Sequence, residues 1–113
     1  MNDTFIVQLL DLPNTYIGEA PPGNNSCQWV SLSAGTSKTF FGRETIDSPE
    51  YVIYVRDQSN QTASERIQLC YKKLQNWNDE NKALKVTRLP KYVGRDDKHR
   101  CVFSFRIQFI IGG

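Results

Sequence analysis

The side chains most capable of chemistry lie together in a charged stretch near the C-terminus, residues 94–100. There, Asp96 and Asp97 are adjacent carboxylates beside His99, the only histidine of the chain. Such a set could act as a general acid–base pair or bind a metal ion. However, adjacent acids flanked by four basic residues are more typical of a solvated hairpin tip, and no motif places a nucleophile beside the histidine. We therefore predict no catalytic residue here.

The cysteines also argue against a reactive or metal-binding centre. The three of them, Cys27, Cys70 and Cys101, are widely spaced. No CxxC or Cys/His cluster occurs, which argues against a zinc site, and no glycine-rich phosphate-binding motif occurs either. We expect three reduced thiols, at least two of them buried as small apolar side chains. The sequence predicts no cofactor, no metal and no enzymatic activity.

Length and composition fit one soluble domain. The chain has 113 residues, 39% of them hydrophobic and 23% charged, which is enough to bury a core. A net charge of +2 is too small to indicate a nucleic-acid-binding protein. No apolar run approaches the ~18 residues of a membrane span, and residues 1–14 lack the features of a signal peptide. We expect a single α+β domain over residues 1–113, made in the cytoplasm.

The last strand has the clearest pattern. Over residues 100–110, apolar and polar side chains alternate, which predicts a β-strand with one buried face. The buried face would carry Phe103, Phe105, Ile107 and Phe109, and the opposite face Ser104, Arg106 and Gln108. That second face requires water or a partner.

Two helices are predicted. The short one lies before Pro13 and can be capped by Asn2 or Asp3. The long one runs from about residue 62 to residue 77, because residues 62–65 (Thr-Ala-Ser-Glu) form a capping box and apolar side chains then recur at helical spacing.

Strand patterns account for most of the remaining chain. Three further strands are predicted, at residues 27–32, 51–57 and 83–93. The last is expected at a sheet edge, because Pro90 cannot donate to a β-ladder. Residues 16–26, rich in glycine and proline, are predicted to be a connector, and residues 33–50 a loop.

The element order is therefore helix, strand, strand, helix, strand, strand. It predicts an α+β fold with a mostly antiparallel sheet of about four strands and the long helix packed on one face. The phenylalanine face of the last strand should pack under Ile67, Tyr71 and Leu74 of that helix. The short N-terminal helix could shield part of the other face.

Two segments and the second sheet face are candidate contact surfaces. Aromatic side chains in a loop such as 33–50 often anchor an interface, although they can also fold back over the core. The mixed charge of the 94–100 tip could pair with another subunit or remain solvated. The candidate interface residues are Phe40, Phe41, Arg43, Arg95, Asp96, Asp97, Lys98, Arg100, Arg106 and Gln108.

A small nucleic-acid-binding module is the alternative. Basic side chains cluster in the last third of the chain, and an open sheet can bind RNA through exposed aromatics. Against it, Phe103, Phe105 and Phe109 lie on the predicted core face, so the stacking surface is missing.

Several segments together resemble one protein family. "YIGEAPPG", "SPEYVIYVRD" before a capped helix and "LPKYVGRDDKHRCVFSFRIQF" look like the minor capsid or tail-terminator (tail-completion) proteins of long-tailed bacteriophages, over about residues 15–110. The order and spacing of these segments carry the resemblance.

The resemblance implies a non-enzymatic virion protein with a sheet backed by helices. It implies a hexameric ring at the head-proximal end of the tail, formed from subunits that can be monomeric alone. Such a ring would stop growth of the tail tube and dock the head–tail connector protein, with DNA only as passing cargo and no membrane partner. Residues 33–50 and 94–100 would then contact the tube, the connector or the next subunit.

Overall fold

The computed structural model describes residues 2–19, 26–40, 43–75, 77–78 and 82–111, with only the backbone described at residues 2–3, 33–40, 43–48, 82 and 111. Two helices and five strands follow one another along the chain. In order they are α1 (Asn2–Leu10), β1 (Thr15–Ile17), β2 (Cys27–Phe40), β3 (Arg43–Asp57), α2 (Asn60–Leu74), β4 (Lys82–Arg95) and β5 (Cys101–Ile111).

All five strands belong to one sheet, in the order β1-β2-β3-β5-β4. The predicted α+β class is confirmed, but the sheet is mixed and has five strands rather than about four, because β1 runs parallel to β2. This strand overlaps the start of the predicted connector. A buried side chain fixes it: Gln28 Nε2 donates to Thr15 Oγ1 at 2.7 Å and to the carbonyl of Pro13. A strand of only three residues is too short to show a periodic pattern, so it could not be predicted from the sequence.

The prediction that residues 33–50 form a loop is wrong. Residues 33–40 and 43–50 belong to β2 and β3, which pair antiparallel out to the register pair Phe40 and Arg43, and residues 41–42 lie outside the described residues. Pro49 lies where the β2–β3 register shifts and just before β3 joins β5 at Glu50, so its missing N–H is tolerated. The serine, threonine and glycine content resembles that of a loop, and a ribbon outside the core needs no apolar alternation.

The long helix begins and ends earlier than predicted. Its cap is Ser59, whose Oγ accepts a hydrogen bond from the Thr62 backbone N–H at 3.3 Å, so Thr62 lies within the first turn rather than at the cap. The helix ends at Leu74, and Trp77 lies beyond it. The short helix α1 is confirmed, and it ends before Asp11, which has a φ of 48°.

Both helices pack on the same face of the sheet. The ring of Tyr71 meets that of Phe105 edge-on at 5.9 Å, and Ile67, Leu74, Ile107 and Phe109 are buried in the same cluster, as predicted. The ring of Phe5 on α1 lies 4.9 Å from Trp77 and 6.0 Å from Phe109. The suggestion that α1 shields the second face is therefore wrong.

The edge position predicted for the strand that contains Pro90 is confirmed. β4 is an edge strand, and its register with β5 shifts between Arg88 and Lys91, on either side of Pro90. Cys27, Cys70 and Cys101 are all buried and unbridged. No helix in the described part of the chain has the length and apolarity of a membrane span.

Candidate assembly surface

The sheet face opposite the helices carries a row of aromatic side chains. Tyr16, Trp29 and Tyr54 are register neighbours across β1, β2 and β3. The rings of Trp29 and Tyr54 stack with centroids 4.9 Å apart and planes 15° from parallel. The Arg56 guanidinium lies 5.9 Å from the centre of the Trp29 ring, within cation–π range. We call this side of the sheet the open face.

The same face becomes cationic towards β4. Arg106 pairs in register with Val52 on one side and with Arg88 on the other. Its guanidinium lies 3.6 Å from the Glu50 carboxylate, which also accepts a 3.3 Å hydrogen bond from Thr87. Arg106 remains partly exposed, and Gln108 lies beside Glu50 in the ladder. The alternation rule thus places Arg106 and Gln108 correctly on the uncovered face.

A shallow depression lies on the open face beside the bulged edge strand β4. Its volume is about 170 Å³. Its lining combines apolar side chains from three strands with cations, and includes Val52, Leu89, Val93, Lys91 and Arg106. An apolar side chain or a carboxylate of a partner would suit this environment.

The turn at residues 96–100 is organised around one carboxylate. Asp96 Oδ1 accepts the backbone N–H groups of Lys98 and Arg100 at 3.0 and 2.9 Å, and Oδ2 accepts the Arg100 Nε–H at 2.8 Å. Burial raises the pKa of Asp96, but these hydrogen bonds and the guanidinium charge outweigh it, so the pKa is lowered overall. His99 adopts a left-handed φ of 61°, and its carbonyl accepts from Arg95 Nη1 at 2.7 Å.

The predicted tip residues therefore divide into two groups. Asp96 and Arg100, which is only 5% exposed, hold the turn together. Arg95, Asp97 and Lys98 are exposed and could meet a partner. Within the described residues, no group of three potential metal ligands occurs.

The other predicted segment lies at the far end of the sheet. β3 starts at Arg43, whose register partner is Phe40, and ends at Asp57, which pairs with Cys101 next to the turn. Phe41 lies outside the described residues, as do the side chains of Phe40 and Arg43. The predicted interface residues that the structure describes thus occupy three separate places: the far end of the ribbon, the open face and the turn.

The ribbon formed by residues 36–40 of β2 and residues 43–47 of β3 extends beyond the five-stranded sheet. In the described part of the chain these residues pair only with each other, because β5 joins β3 from Glu50 and β1 joins β2 only up to Val30. With five residues in each strand, the ribbon is about 16 Å long at ~3.3 Å per residue. Consistent with it, the molecule measures 49 × 28 × 22 Å and has a radius of gyration of 14.9 Å, against about 13 Å for a compact chain of this length.

Residues 7–112 match the family described as bacteriophage tail terminator protein. The chain belongs to this family. No curated protein matches the sequence. Membership identifies a structural component of the phage tail, and therefore of the virion, that interacts with other phage proteins. It agrees with the family resemblance noted from the sequence.

Sequence reasoning missed one feature of this tail terminator, the aromatic row of the open face. The alternation within its strand assigns Trp29 to one face of the sheet. Tyr54 belongs to a strand that is apolar on both faces, so the sequence pattern assigns it to neither. Tyr16 lies in a strand that was not predicted. Only the strand register brings the three side chains together.

Proposed function

We propose that this protein assembles into a ring at the head-proximal end of the phage tail, where it ends growth of the tail tube and joins the tail to the head connector. Six subunits is the ring size that the family resemblance implies. The role is geometric and needs no enzymatic step. The chain would be made in the bacterial cytoplasm, act as one domain, meet DNA only as passing cargo and become part of the virion.

The observation that carries this proposal is the unpartnered ribbon. An isolated two-stranded hairpin is marginally stable in water, and its backbone edges invite pairing with another chain. A ribbon about 16 Å long at ~3.3 Å per residue is therefore expected to gain order from a neighbour. We propose that its tip, with Phe40, Phe41 and Arg43, contacts the tail tube, the connector or the next subunit.

The turn and the open face would supply the other contacts. The exposed side chains of Arg95, Asp97 and Lys98 are suited to charged contacts, whereas Asp96 and Arg100 would act indirectly by holding the turn in shape. The open face, with Arg106 and Gln108, would line the lumen or meet a partner.

The test combines light scattering with negative-stain imaging of the purified protein, alone and with tail tubes. We expect rings, or caps at one end of each tube. A variant in which residues 37–46 are replaced by Asn-Gly, a two-residue hairpin turn between the register partners Thr36 and Asp47, should still unfold cooperatively and lose capping.

The matched control is a substitution of one exposed residue that lies far from the ribbon, the turn and the open face. Lys72 on α2 is exposed on the helical side, so Lys72→Ala should cap tubes normally. Wild-type protein that stays monomeric and leaves tubes uncapped would contradict the proposal. A shortened ribbon that still caps would remove the ribbon from the mechanism.

The aromatic row gives the nucleic-acid alternative one specific observation in its favour. Tyr16, Trp29 and Tyr54 provide aromatic side chains on the open face, where the sequence indicated none. However, Trp29 and Tyr54 stack on each other, which occupies one face of each ring. Steeply salt-dependent binding of single-stranded DNA or RNA by a protein that ignores tubes would favour this alternative.

A further inference from the structure

The exposed apolar side chains are concentrated at the two opposite edges of the sheet. Of the exposed large apolar side chains in the described part of the chain, all but Leu69 lie there. They are Tyr16, Ile17 and Leu32 at the β1–β2 edge, and Leu89, Tyr92 and Val93 at the β4 edge. Leu89 is 68% exposed and Leu32 55%. Exposed apolar clusters of this kind mark protein interaction sites.

The two edges carry opposite charge. Residues 1–37 contain three acids, Asp3, Asp11 and Glu19, and no lysine or arginine. Asp11 and Glu19 flank β1 and are exposed. β4 contains five cations and no acid, and Lys85, Arg88 and Lys91 are exposed on it. The edges are therefore complementary to each other, while each is unsuited to a second copy of itself.

Backbone hydrogen-bonding groups are open at both edges. Within the described residues, β4 is covered on its outer side only at its start, where Ala83 bridges Asn78 and the Leu84 N–H donates to the Trp77 carbonyl, and the outer side of β1 is unpaired. β1 is held in place by the buried side chain of Gln28 and by the 2.8 Å hydrogen bond from the Gly18 N–H to the Val30 carbonyl. The β1 edge can therefore accept another strand, whereas Pro90 and the bulges of β4 interrupt its ladder, so side-chain contacts would dominate on the β4 side.

We infer that the β4 edge of one copy docks against the β1–β2 edge of the next copy. Two different complementary surfaces on opposite sides of a subunit make a head-to-tail contact, which closes into a ring when the rotation between subunits allows it. The inference rests on the ring assembly proposed above and names its contact surfaces. The sheets of neighbouring subunits would then adjoin edge to edge, with the open faces on one side of the ring.

Cysteine cross-linking tests the contact directly. Tyr16 and Val93 both lie towards the open face, since Tyr16 neighbours Trp29 and Val93 lines the depression beside Tyr54. A Tyr16→Cys/Val93→Cys chain, mixed with tail tubes and treated with a short bis-maleimide, should give a ladder of covalent oligomers. The three native thiols are buried, so they should not contribute.

The two single variants are the matched controls. Each alone should remain uncross-linked, and an equimolar mixture of the two should stop at dimers. Dimers from Val93→Cys alone would mean that β4 meets β4, which overturns the head-to-tail contact.

Charge exchange provides a second, independent measurement. Arg88→Glu/Lys91→Glu should reduce the assembled fraction about tenfold or more, because like charges would then face each other. Adding Asp11→Lys/Glu19→Lys in the same chain should restore assembly. Failure of this restoration, with all variants folded, would contradict the inference.

The inference and the proposed function can fail separately. If wild-type protein and the double-cysteine variant both cap tubes and no ladder forms, the edge contact is wrong and the terminator role stands. If wild-type protein neither forms rings nor caps tubes and no ladder forms, both are wrong.

Discussion

Asp96 and Arg100 form a closed pair within the turn that joins β4 to β5. Arg100 Nε donates to Asp96 Oδ2 at 2.8 Å, and the Arg100 backbone N–H donates to Oδ1 of the same carboxylate at 2.9 Å. The Asp96 N–H in turn donates to the Arg100 carbonyl at 2.9 Å. The charged residues at 94–100, which first suggest acid–base chemistry, are thus explained in part by the hydrogen bonds that hold this turn.

Removing the Asp96 carboxylate should destabilise the fold. Asp96→Ala deletes three hydrogen bonds and leaves the buried Arg100 without this partner, so we expect a loss of about 2–4 kcal/mol in the free energy of unfolding. Urea denaturation measures it. Asp97→Ala is the matched control, because Asp97 is the adjacent exposed acid, and it should change stability by less than about 0.5 kcal/mol. Equal effects of the two substitutions would contradict this account of the turn.

Stability should fall in acid partly because of Asp96. Its pKa is lower in the folded protein than the value of about 3.9 in an unfolded chain. The unfolded state therefore binds the proton first, and this contribution is present above about pH 4 and lost as the pH falls through the folded pKa. Asp96→Asn should be less stable than wild type at neutral pH, with the difference shrinking near pH 2. A difference independent of pH would contradict the assignment.

The helix cap offers a direct comparison between sequence and structure. Ser59→Ala should lower stability by about 1 kcal/mol, because the Ser59 Oγ accepts the Thr62 N–H. Thr62→Ala, at the cap position that the sequence predicts, should cost less than about 0.5 kcal/mol. Thermal unfolding of the two variants decides between the caps, and the reverse ranking would favour the Thr62–Glu65 capping box.

Burial should make Cys70 unreactive. Loss of hydration raises its pKa to about 11, against opposing effects of Arg66 and Lys73, and burial also raises the pKa of Cys27. Native protein at neutral pH should therefore react with a maleimide only after denaturation. Because an unfolded thiol ionises near pH 8.5, the contribution of Cys70 to stability is present below that pH and declines above it. Rapid labelling of native protein would contradict this.

The parts of the fold that the sequence predicts correctly are those whose side chains contact the core. The alternating pattern of β5 and the apolar stripe of α2 arise because these two elements bury side chains against each other, as the contact of Tyr71 with Phe105 illustrates. The missed parts depend on distant partners. β1 is held by its backbone pairing with β2 and by the Gln28 side chain, and the ribbon of residues 36–40 and 43–47 depends on pairing between strands rather than on a buried face.

Some residues of the candidate surface could likewise be placed from the sequence alone, and others could not. Arg106 and Gln108 follow from strand parity alone. Burial of Arg100 does not, because exposed and buried arginines look alike in a sequence and the choice depends on the position of Asp96. The opposite charge of the two sheet edges can be read from the composition of residues 1–37 and of β4. That the two charged segments lie at opposite edges of the sheet follows only from the strand order.

Arg106 and Arg100 should respond differently to substitution, which separates contact from folding. Arg106 is 40% exposed and 3.6 Å from Glu50, and such a surface pair is worth at most about 1 kcal/mol. Arg106→Ala should therefore leave the melting temperature nearly unchanged and reduce tube capping if the open face meets a partner. Arg100→Ala should lower the melting temperature and impair capping only as a consequence. Normal capping by folded Arg106→Ala protein would remove Arg106 from the interface, because the variant would lack only the side chain in question.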